Sequence, residues 1–139
     1  MKKKKGILIV LIVLIIVFIA GAAFVANIQK NLDALADVSF ENIDLSNIKD
    51  GTYYGKYGSI PVSAEVKVTV TSHAITDIEL VKHNNGKGEA AEIIPEKVTE
   101  AQSLQVDTIS GATYSSVVIL KAIENALLSA NWFLKLKGE

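Results

Sequence analysis

The sequence predicts an α+β fold: a small antiparallel sheet built on a β-hairpin, with helices packed on it, preceded by one N-terminal transmembrane helix. Three observations predict it. Residues 7–20 are all apolar, residues 62–70 alternate between apolar and polar side chains, and residues 113–130 repeat apolar side chains at helical spacing. An unbroken apolar run is typical of a membrane span, alternation of a half-buried strand, and the 3.6-residue repeat of an amphipathic helix.

The N-terminal segment has the features of a membrane anchor. Four lysines at positions 2–5 precede the apolar residues 6–26. A helix of this length extends roughly 31 Å, about the thickness of the hydrocarbon core of a bilayer. Because lysines beside a span stay in the cytoplasm, we expect the rest of the chain outside the cell membrane. A cleaved signal peptide is the alternative, since Ala20-Gly21-Ala22 resembles a cleavage site. The length of the apolar run favours an uncleaved, single-pass anchor.

Residues 27–48 connect this anchor to the remainder of the chain. Ile28, Leu32 and Leu35 stand at helical spacing, which predicts that the anchor helix continues beyond the bilayer. Residues 36–48 have a mixed composition and predict a tether with about one turn of helix. The chain is therefore divided into an anchor (residues 1–26), a juxtamembrane tether (27–48) and one small domain (49–139).

The composition narrows what the domain can do. The chain has no cysteine, which excludes a disulfide framework, a thiolate nucleophile and a cysteine-ligated metal. Without residues 1–26, ten lysines stand against fifteen acidic residues, a net charge of −5, and no arginine is present. We therefore expect no nucleic-acid partner. Histidine and methionine are too few and too scattered to predict a metal site.

The domain begins with a predicted three-stranded segment. Asp50-Gly51 signals a turn, and Tyr53-Tyr54 begins a β-prone run. Alternation then places five apolar side chains on one face of the next strand: Val62, Ala64, Val66, Val68 and Val70. After a tight turn, residues 74–83 complete the hairpin, with Ile78 and Leu80 expected inside and Asp77 and Glu79 outside.

Helices are predicted in the second half of the domain. Pro95 suits the first turn of a short helix over about residues 95–101, preceded by another turn. Residues 103–110 predict a short strand. In the last helix we expect Lys121, Glu124 and Asn125 to face water. Its buried stripe is expected to contain Ile119, Ala122, Ile123, Ala126 and Ala130.

The common catalytic motifs are absent. The sequence holds neither a nucleophile elbow nor a phosphate loop. His73 and His83 are expected to be turn or surface residues. Glu92, Glu96 and Glu100 are expected to form a solvated helix face, because they are spaced four residues apart. No catalytic residue is predicted.

The segment "DTISGATYSS", residues 107–116, is the candidate site. Hydroxyl side chains before an apolar helix are typical of an N-terminal cap, which explains one or two of them. Gly111 permits a sharp turn, Ala112 keeps the approach open, and Thr113 falls at the start of the helix. A phosphate on Thr113 Oγ would meet the N–H groups of residues 114–116 and the positive end of the helix dipole. Ser115 and Ser116 are expected to add hydroxyl donors.

Residues 107–113, Asp-Thr-Ile-Ser-Gly-Ala-Thr, resemble the flavin-acceptor motif of the FMN-binding domain family. The resemblance extends from about residue 50 to residue 127. The family includes subunits of sodium-translocating NADH:quinone reductases and Rnf-type complexes. It implies that Thr113 carries FMN through a phosphoester bond, and that Asp107, Ser110, Gly111, Ala112, Ser115 and Ser116 form the surrounding site. The His-x-Glu-Thr-type segment frequent in the family is replaced here by residues 83–88, "HNNGKG".

The resemblance also implies partners. In the family, a magnesium-dependent flavin transferase installs FMN from FAD. The expected function is that of a membrane-anchored, extracytoplasmic electron carrier between a membrane donor, such as a quinone-linked complex, and an external acceptor or partner flavoprotein. An unflavinylated binding or regulatory module on the same fold and a reductase with its own small substrate are the alternatives.

Overall fold

The computed structural model describes residues 2–36 and 38–136, which form a single sheet with helices on one face. The helices and strands, in chain order, are α1 (Lys2–Ala36), β1 (Gly51–Ser59), β2 (Val62–Thr71), β3 (Ala74–Asn84), α2 (Ile94–Ala101) and α3 (Thr113–Leu136). Short 3₁₀ helices occur at Leu45–Asn47 and Glu89–Ile93. The predicted α+β class with an N-terminal apolar helix is confirmed.

Helix α1 is continuous from the lysine cluster to residue 36. It is long and apolar enough to cross a membrane, and its most apolar stretch has a mean hydropathy of 3.4. The large apolar side chains between Ile7 and Val25 are exposed, and the described part of the domain leaves them uncovered. Beyond them, Leu35 is only 5% exposed because it packs into the core. The predicted continuation of the helix past residue 26 is confirmed.

The sheet has the order β1-β2-β3 with both pairs antiparallel. Val66 in the central strand pairs with Gly55 of β1 and Leu80 of β3. All five alternating apolar side chains of β2 are at most 6% exposed, as the alternation predicted. Ile78 and Leu80 pack against the same core, and the hairpin prediction is confirmed. The inner face of the sheet is covered by α3, whose predicted buried stripe is also confirmed.

The opposite face of the sheet is open and carries the polar half of the alternation. Glu65 is exposed there, and Lys67 forms an ion pair with Glu79 on β3. The hydrogen bond and the charge of that carboxylate raise the pKa of Lys67. This face is therefore a solvated surface, and the core lies between the sheet and α3.

The predicted strand over residues 103–110 is wrong, because residues 105–109 are irregular. At the edge of β3 the side chain of Gln102 takes the place of a fourth strand. Its Oε1 accepts from the N–H of Ile75 and its Nε2 donates to the Ile75 carbonyl, both at 2.8 Å. A side-chain amide has thus replaced the backbone ladder, and β propensity alone did not form a strand.

The expectation that Glu124 faces water is also wrong. Glu124 is fully buried, and Lys121 and Asn125 are only partly exposed. The reason is that residues 38–43 run across this side of α3, with Val38, Phe40 and Ile43 packed against the core. After them, Asp44 accepts hydrogen bonds from the hydroxyl and the N–H of Ser46, which lower the pKa of the Asp44 carboxyl.

The two histidines differ in their environments. His73 lies exposed in the turn between β2 and β3, as predicted. The His83 side chain is only 3% exposed, so its prediction as a surface or turn residue is wrong. It lies on the inner face of β3 beside Ala64, where the sheet register turns it toward the helices. The predicted short helix is confirmed as α2, with the Glu89–Ile93 turn before it.

Candidate functional site

The segment that precedes α3 turns sharply at Gly111, and Thr113 lies at the surface directly after this turn. Gly111 has φ of +78°, in the left-handed region that glycine adopts without strain. The N–H of Ala112 donates to the carbonyl of Ile109 at 2.9 Å, which closes the turn. Ala112 is buried, whereas Thr113, the first residue of α3, is exposed. Ala112 therefore packs into the core and holds the turn in place, while Thr113 stays accessible from the solvent.

Ser116 holds this turn against the helix. Its hydroxyl accepts from the N–H of Ile109 at 3.0 Å and donates to the carbonyl of Ala112 at 2.9 Å. The Ser116 N–H donates to the same carbonyl, also at 2.9 Å. Both donors of Ser116 are thus occupied within the protein, and the residue is fully buried. Ser116 shapes the segment and has no proton left for a ligand.

The start of α3 lacks a side-chain cap among the described residues. Because the first helical hydrogen bond comes from Ser116, the N–H groups of Thr113, Tyr114 and Ser115 have no backbone acceptor. The hydroxyls that precede or begin the helix do not supply one either. The Ser115 side chain is 2% exposed, and its hydroxyl has no hydrogen-bond partner within the part of the chain that the structure describes. The helix therefore begins with several unpaired donors.

These donors border a cleft of about 210 Å³ that four segments of the chain enclose. One wall consists of residues 111–115 at the start of α3. Apolar side chains from distant parts of the chain form another wall: Leu32 of α1, Pro61 of the turn between β1 and β2, and Val62 of β2. The loop of residues 85–88 closes the side between them. Lys87 of that loop is the cation among the residues that line the cleft.

The 85–88 loop packs closely on α3 at Gly88. A Cβ at this position would overlap the side chain of Ser115, so any larger residue would displace either Ser115 or the loop. Glu92, in the 3₁₀ helix after the loop, connects the loop to β3. Its Oε1 accepts from Asn85 Nδ2 at 3.2 Å and lies 3.0 Å from Nδ1 of His83 on β3. The N–H of Gly88 closes the loop on the carbonyl of Asn85 at 2.8 Å. Lys87 therefore stands on a fixed loop.

The structure places the predicted site residues in three groups. Gly111, Ala112, Thr113 and Ser115 line the cleft, and Ser116 lies directly behind them. Ser110 and Asp107 are exposed, lie outside the cleft lining and make no side-chain hydrogen bond within the described chain. Sequence reasoning missed Leu32, Pro61 and Val62, which carry no motif. It also did not assign the 85–88 loop to the site, although the glycine-rich run Gly86-Lys87-Gly88 is a signal that could have indicated it.

Comparisons with known proteins found one matching family model and a relative. The family model described as "FMN-binding domain" matches residues 57–128, from β1 to the middle of α3, including the whole candidate segment. The chain is also 35% identical over 86 residues to an NADH:acrylate oxidoreductase from Vibrio harveyi. That alignment covers 58% of this chain and 8% of the relative, so the chain corresponds to a small part of that enzyme. No solved structure matches the chain. Since the family model covers just over half of the sequence, this protein belongs to the FMN-binding domain family and is a flavoprotein.

Proposed function

We propose that the chain is a membrane-anchored electron carrier whose FMN is attached through its phosphate to Thr113. The observation that carries the proposal is the exposed hydroxyl of Thr113 at an uncapped helix start, beside a cleft with unpaired donors. Thr113 is the first helical residue, one position beyond the N-cap, so helix capping does not account for its hydroxyl.

The residues around Thr113 fit the phosphate of FMN. The phosphodiester formed at Thr113 Oγ would keep one negative charge. The N–H groups of Tyr114 and Ser115 and the hydroxyl of Ser115 are free to donate to it, and Lys87 supplies a positive charge from across the cleft. A helix N-terminus favours an anion by roughly 0.3–1 kcal/mol, and by up to about 2 kcal/mol where the site is partly buried. These terms add to a covalent bond and orient the phosphate.

The apolar wall suits the ring system of the cofactor. Leu32, Pro61 and Val62 offer carbon surface without a competing charge, and the 85–88 loop covers the approach from β3. When bound, the isoalloxazine supplies the one- and two-electron chemistry, for which the protein provides binding and orientation. The chain's own task is to hold the flavin at a fixed position and to shield part of it from water.

Covalent attachment requires a partner. A flavin transferase that uses FAD and magnesium would form the bond between the FMN phosphorus and Thr113 Oγ while AMP leaves. The sharp turn at Gly111 exposes the acceptor hydroxyl to such an enzyme. Asp107 and Ser110 lie exposed on the same segment and outside the cleft lining, where a transferase could contact them.

The electron-transfer role is supported by the family and by the relative. The chain belongs to the FMN-binding domain family, and the relative is an NADH:acrylate oxidoreductase, of which this chain matches one small part. We therefore propose that the chain passes electrons between a membrane donor, such as a quinone-linked complex, and an external acceptor.

Helix α1 would anchor the carrier with its N-terminus in the cytoplasm, since the lysines at positions 2–5 precede the apolar residues. Protease added to intact cells should then remove residues after α1 and leave an N-terminal tag protected. A mature N-terminus near Ala23 in the medium would instead establish cleavage.

Mass spectrometry tests the attachment. The full-length protein is produced with and without an active flavin transferase, in the presence of FAD and magnesium. The flavinylated protein should exceed the unmodified mass by one FMN less one water, with the increment on the tryptic peptide of residues 98–121. Thr113→Ala should abolish the increment, and Ser110→Ala should retain it. A wild-type protein that stays colourless and unmodified would contradict the proposal and favour an unflavinylated binding module.

A further inference from the structure

The flavin cleft lies at the end of the domain where α1 arrives. Leu32 of α1 lines the same cleft as Thr113, although 81 positions separate the two residues in the chain. Because α1 is a continuous helix, Leu32 stands six residues, or roughly 9 Å, beyond Ala26 at the end of the apolar stretch. The headgroup layer on each side of a bilayer is roughly 5–7 Å thick. The cleft is therefore at the height of the membrane surface if α1 spans the membrane.

The strand register brings other loops to this end. Ser59 pairs with Val62 across the turn between β1 and β2, and Ser63 pairs with Asn84 at the end of β3. The β1–β2 turn and the 85–88 loop are therefore neighbours beside the cleft. The turn between β2 and β3 lies at the opposite end of β2, whose ten residues extend roughly 33 Å. The domain thus has one end near α1 and one end far from it.

The β1–β2 turn at the near end carries an exposed apolar side chain. Ile60 is 72% exposed, more than any other large apolar side chain among residues 38–130. Its neighbour Pro61 is also exposed and lines the cleft with Leu32. No charged residue lies between Lys56 and Glu65. An isoleucine at the tip of a turn is poorly placed in water and suits the boundary between headgroups and acyl chains.

We propose that the Thr113 end of the domain rests on the outer surface of the bilayer, with Ile60 and Pro61 inserted among the lipid headgroups. The proposal rests on the membrane anchoring proposed above for α1. In this position the cleft opens at the lipid surface. A redox partner then reaches the site along the plane of the membrane, and the far β2–β3 turn points into the external solution.

Site-specific fluorescence tests the arrangement, because the native chain has no cysteine that would compete for a label. Three full-length variants, Ile60→Cys, Thr71→Cys and Asn27→Cys, are labelled with a thiol-reactive fluorophore and reconstituted into phosphatidylcholine vesicles. Vesicles with and without a nitroxide on the lipid headgroup are compared. Thr71 is exposed at the far end of β2 and is the matched control on the domain. Asn27 follows the apolar stretch directly and reports whether α1 is inserted.

We expect the headgroup nitroxide to lower the emission of the labels at positions 60 and 27 by at least twofold and to leave the label at position 71 nearly unchanged. Quenching at position 27 without quenching at position 60 would overturn the surface contact while the anchor stands. Equal quenching at positions 60 and 71 would overturn it as well, since the domain would have no preferred end. An unquenched label at position 27 would reject the anchor and the contact together.

Discussion

The backbone N–H of Glu41 donates a hydrogen bond of 2.6 Å to Oε1 of Glu124, a carboxylate with no exposed surface. Lys121 pairs with the other oxygen of this carboxylate and donates to the carbonyl of Ser39 at 3.5 Å. Residues 39–41 are thereby fastened to α3. This contact adds to the packing of Leu35 and links helix α1 to the domain that carries Thr113.

Replacing Glu124 should loosen this link. Glu124→Ala leaves the Glu41 N–H without its acceptor and removes the partner of Lys121. Loss of a hydrogen bond to a charged group lowers the free energy of unfolding by about 1.5–3 kcal/mol. We also expect faster hydrogen exchange in residues 38–43. The control is Glu100→Ala, because Glu100 is exposed and forms no side-chain hydrogen bond or ion pair within the described chain. Equal exchange in both variants would show that the contact does not hold the segment.

Gly55 sets the distance between β1 and α3. A Cβ at this position would overlap the carbonyl oxygen of Ala122 and the amide nitrogen of Ala126, and neither backbone atom can move without shifting the helix. Gly55→Ala should lower the free energy of unfolding by about 1–3 kcal/mol. Alanine loses less conformational entropy on folding than glycine does, but the cost of overpacking against α3 is larger than this gain. Urea unfolding in detergent measures the change.

The matched control for Gly55 lies on the same strand. At Gly51 the nearest atom to an added Cβ is the Tyr53 hydroxyl, 3.2 Å away at the far end of a side chain, so no backbone atom has to move. Gly51→Ala should therefore be nearly neutral or slightly stabilising. If both variants lose a comparable free energy of unfolding, the effect comes from backbone conformation and not from the packing of α3.

Alanine variants of Ser116 and Ser110 should differ in their free energy of unfolding, although both residues belong to the candidate segment. Ser116→Ala removes the hydroxyl that bridges Ile109 and Ala112 and leaves the partly buried N–H of Ile109 without its acceptor. The expected loss is about 1–3 kcal/mol in the free energy of unfolding. Ser110 is exposed and unbonded, so Ser110→Ala should stay within about 0.5 kcal/mol. Thermal unfolding of the unmodified proteins separates the two. Similar values would mean that Ser116 does not support the turn.

Gly88 controls the width of the cleft. In Gly88→Ala the new methyl group would collide with Ser115, so the 85–88 loop must move away from α3 or Ser115 must turn. Flavinylation, measured as the mass increment after a fixed time with transferase, should fall severalfold because the phosphate site is disturbed. Glu89→Ala, one residue further along and exposed, should load normally. If Gly88→Ala is flavinylated as fast as the wild type, Ser115 and Lys87 do not bind the phosphate as proposed.

Elements with a strong local pattern followed from the sequence. The apolar run predicted α1, the alternation from Val62 to Val70 predicted the central strand, and the 3.6-residue repeat predicted α3 and its buried stripe. These patterns are local because each reports one face of a single element. Residues 107–116 were identified as the candidate site for the same reason: a turn residue, an acceptor hydroxyl and a helix start are neighbours in the chain.

Contacts between distant residues were decided only by the tertiary structure. Glu124 was expected in water because its own helix assigns it to the polar face, and a segment 83 positions earlier in the chain covers it. Residues 103–110 had the composition of a strand, but the side chain of Gln102 forms the hydrogen bonds to the backbone of Ile75 that a fourth strand would form at the edge of β3. Leu32 and Pro61 became walls of the cleft through the packing of α1 and the sheet register. Local periodicity determines which face of an element is buried, whereas the identity of the covering segment depends on how all elements pack together.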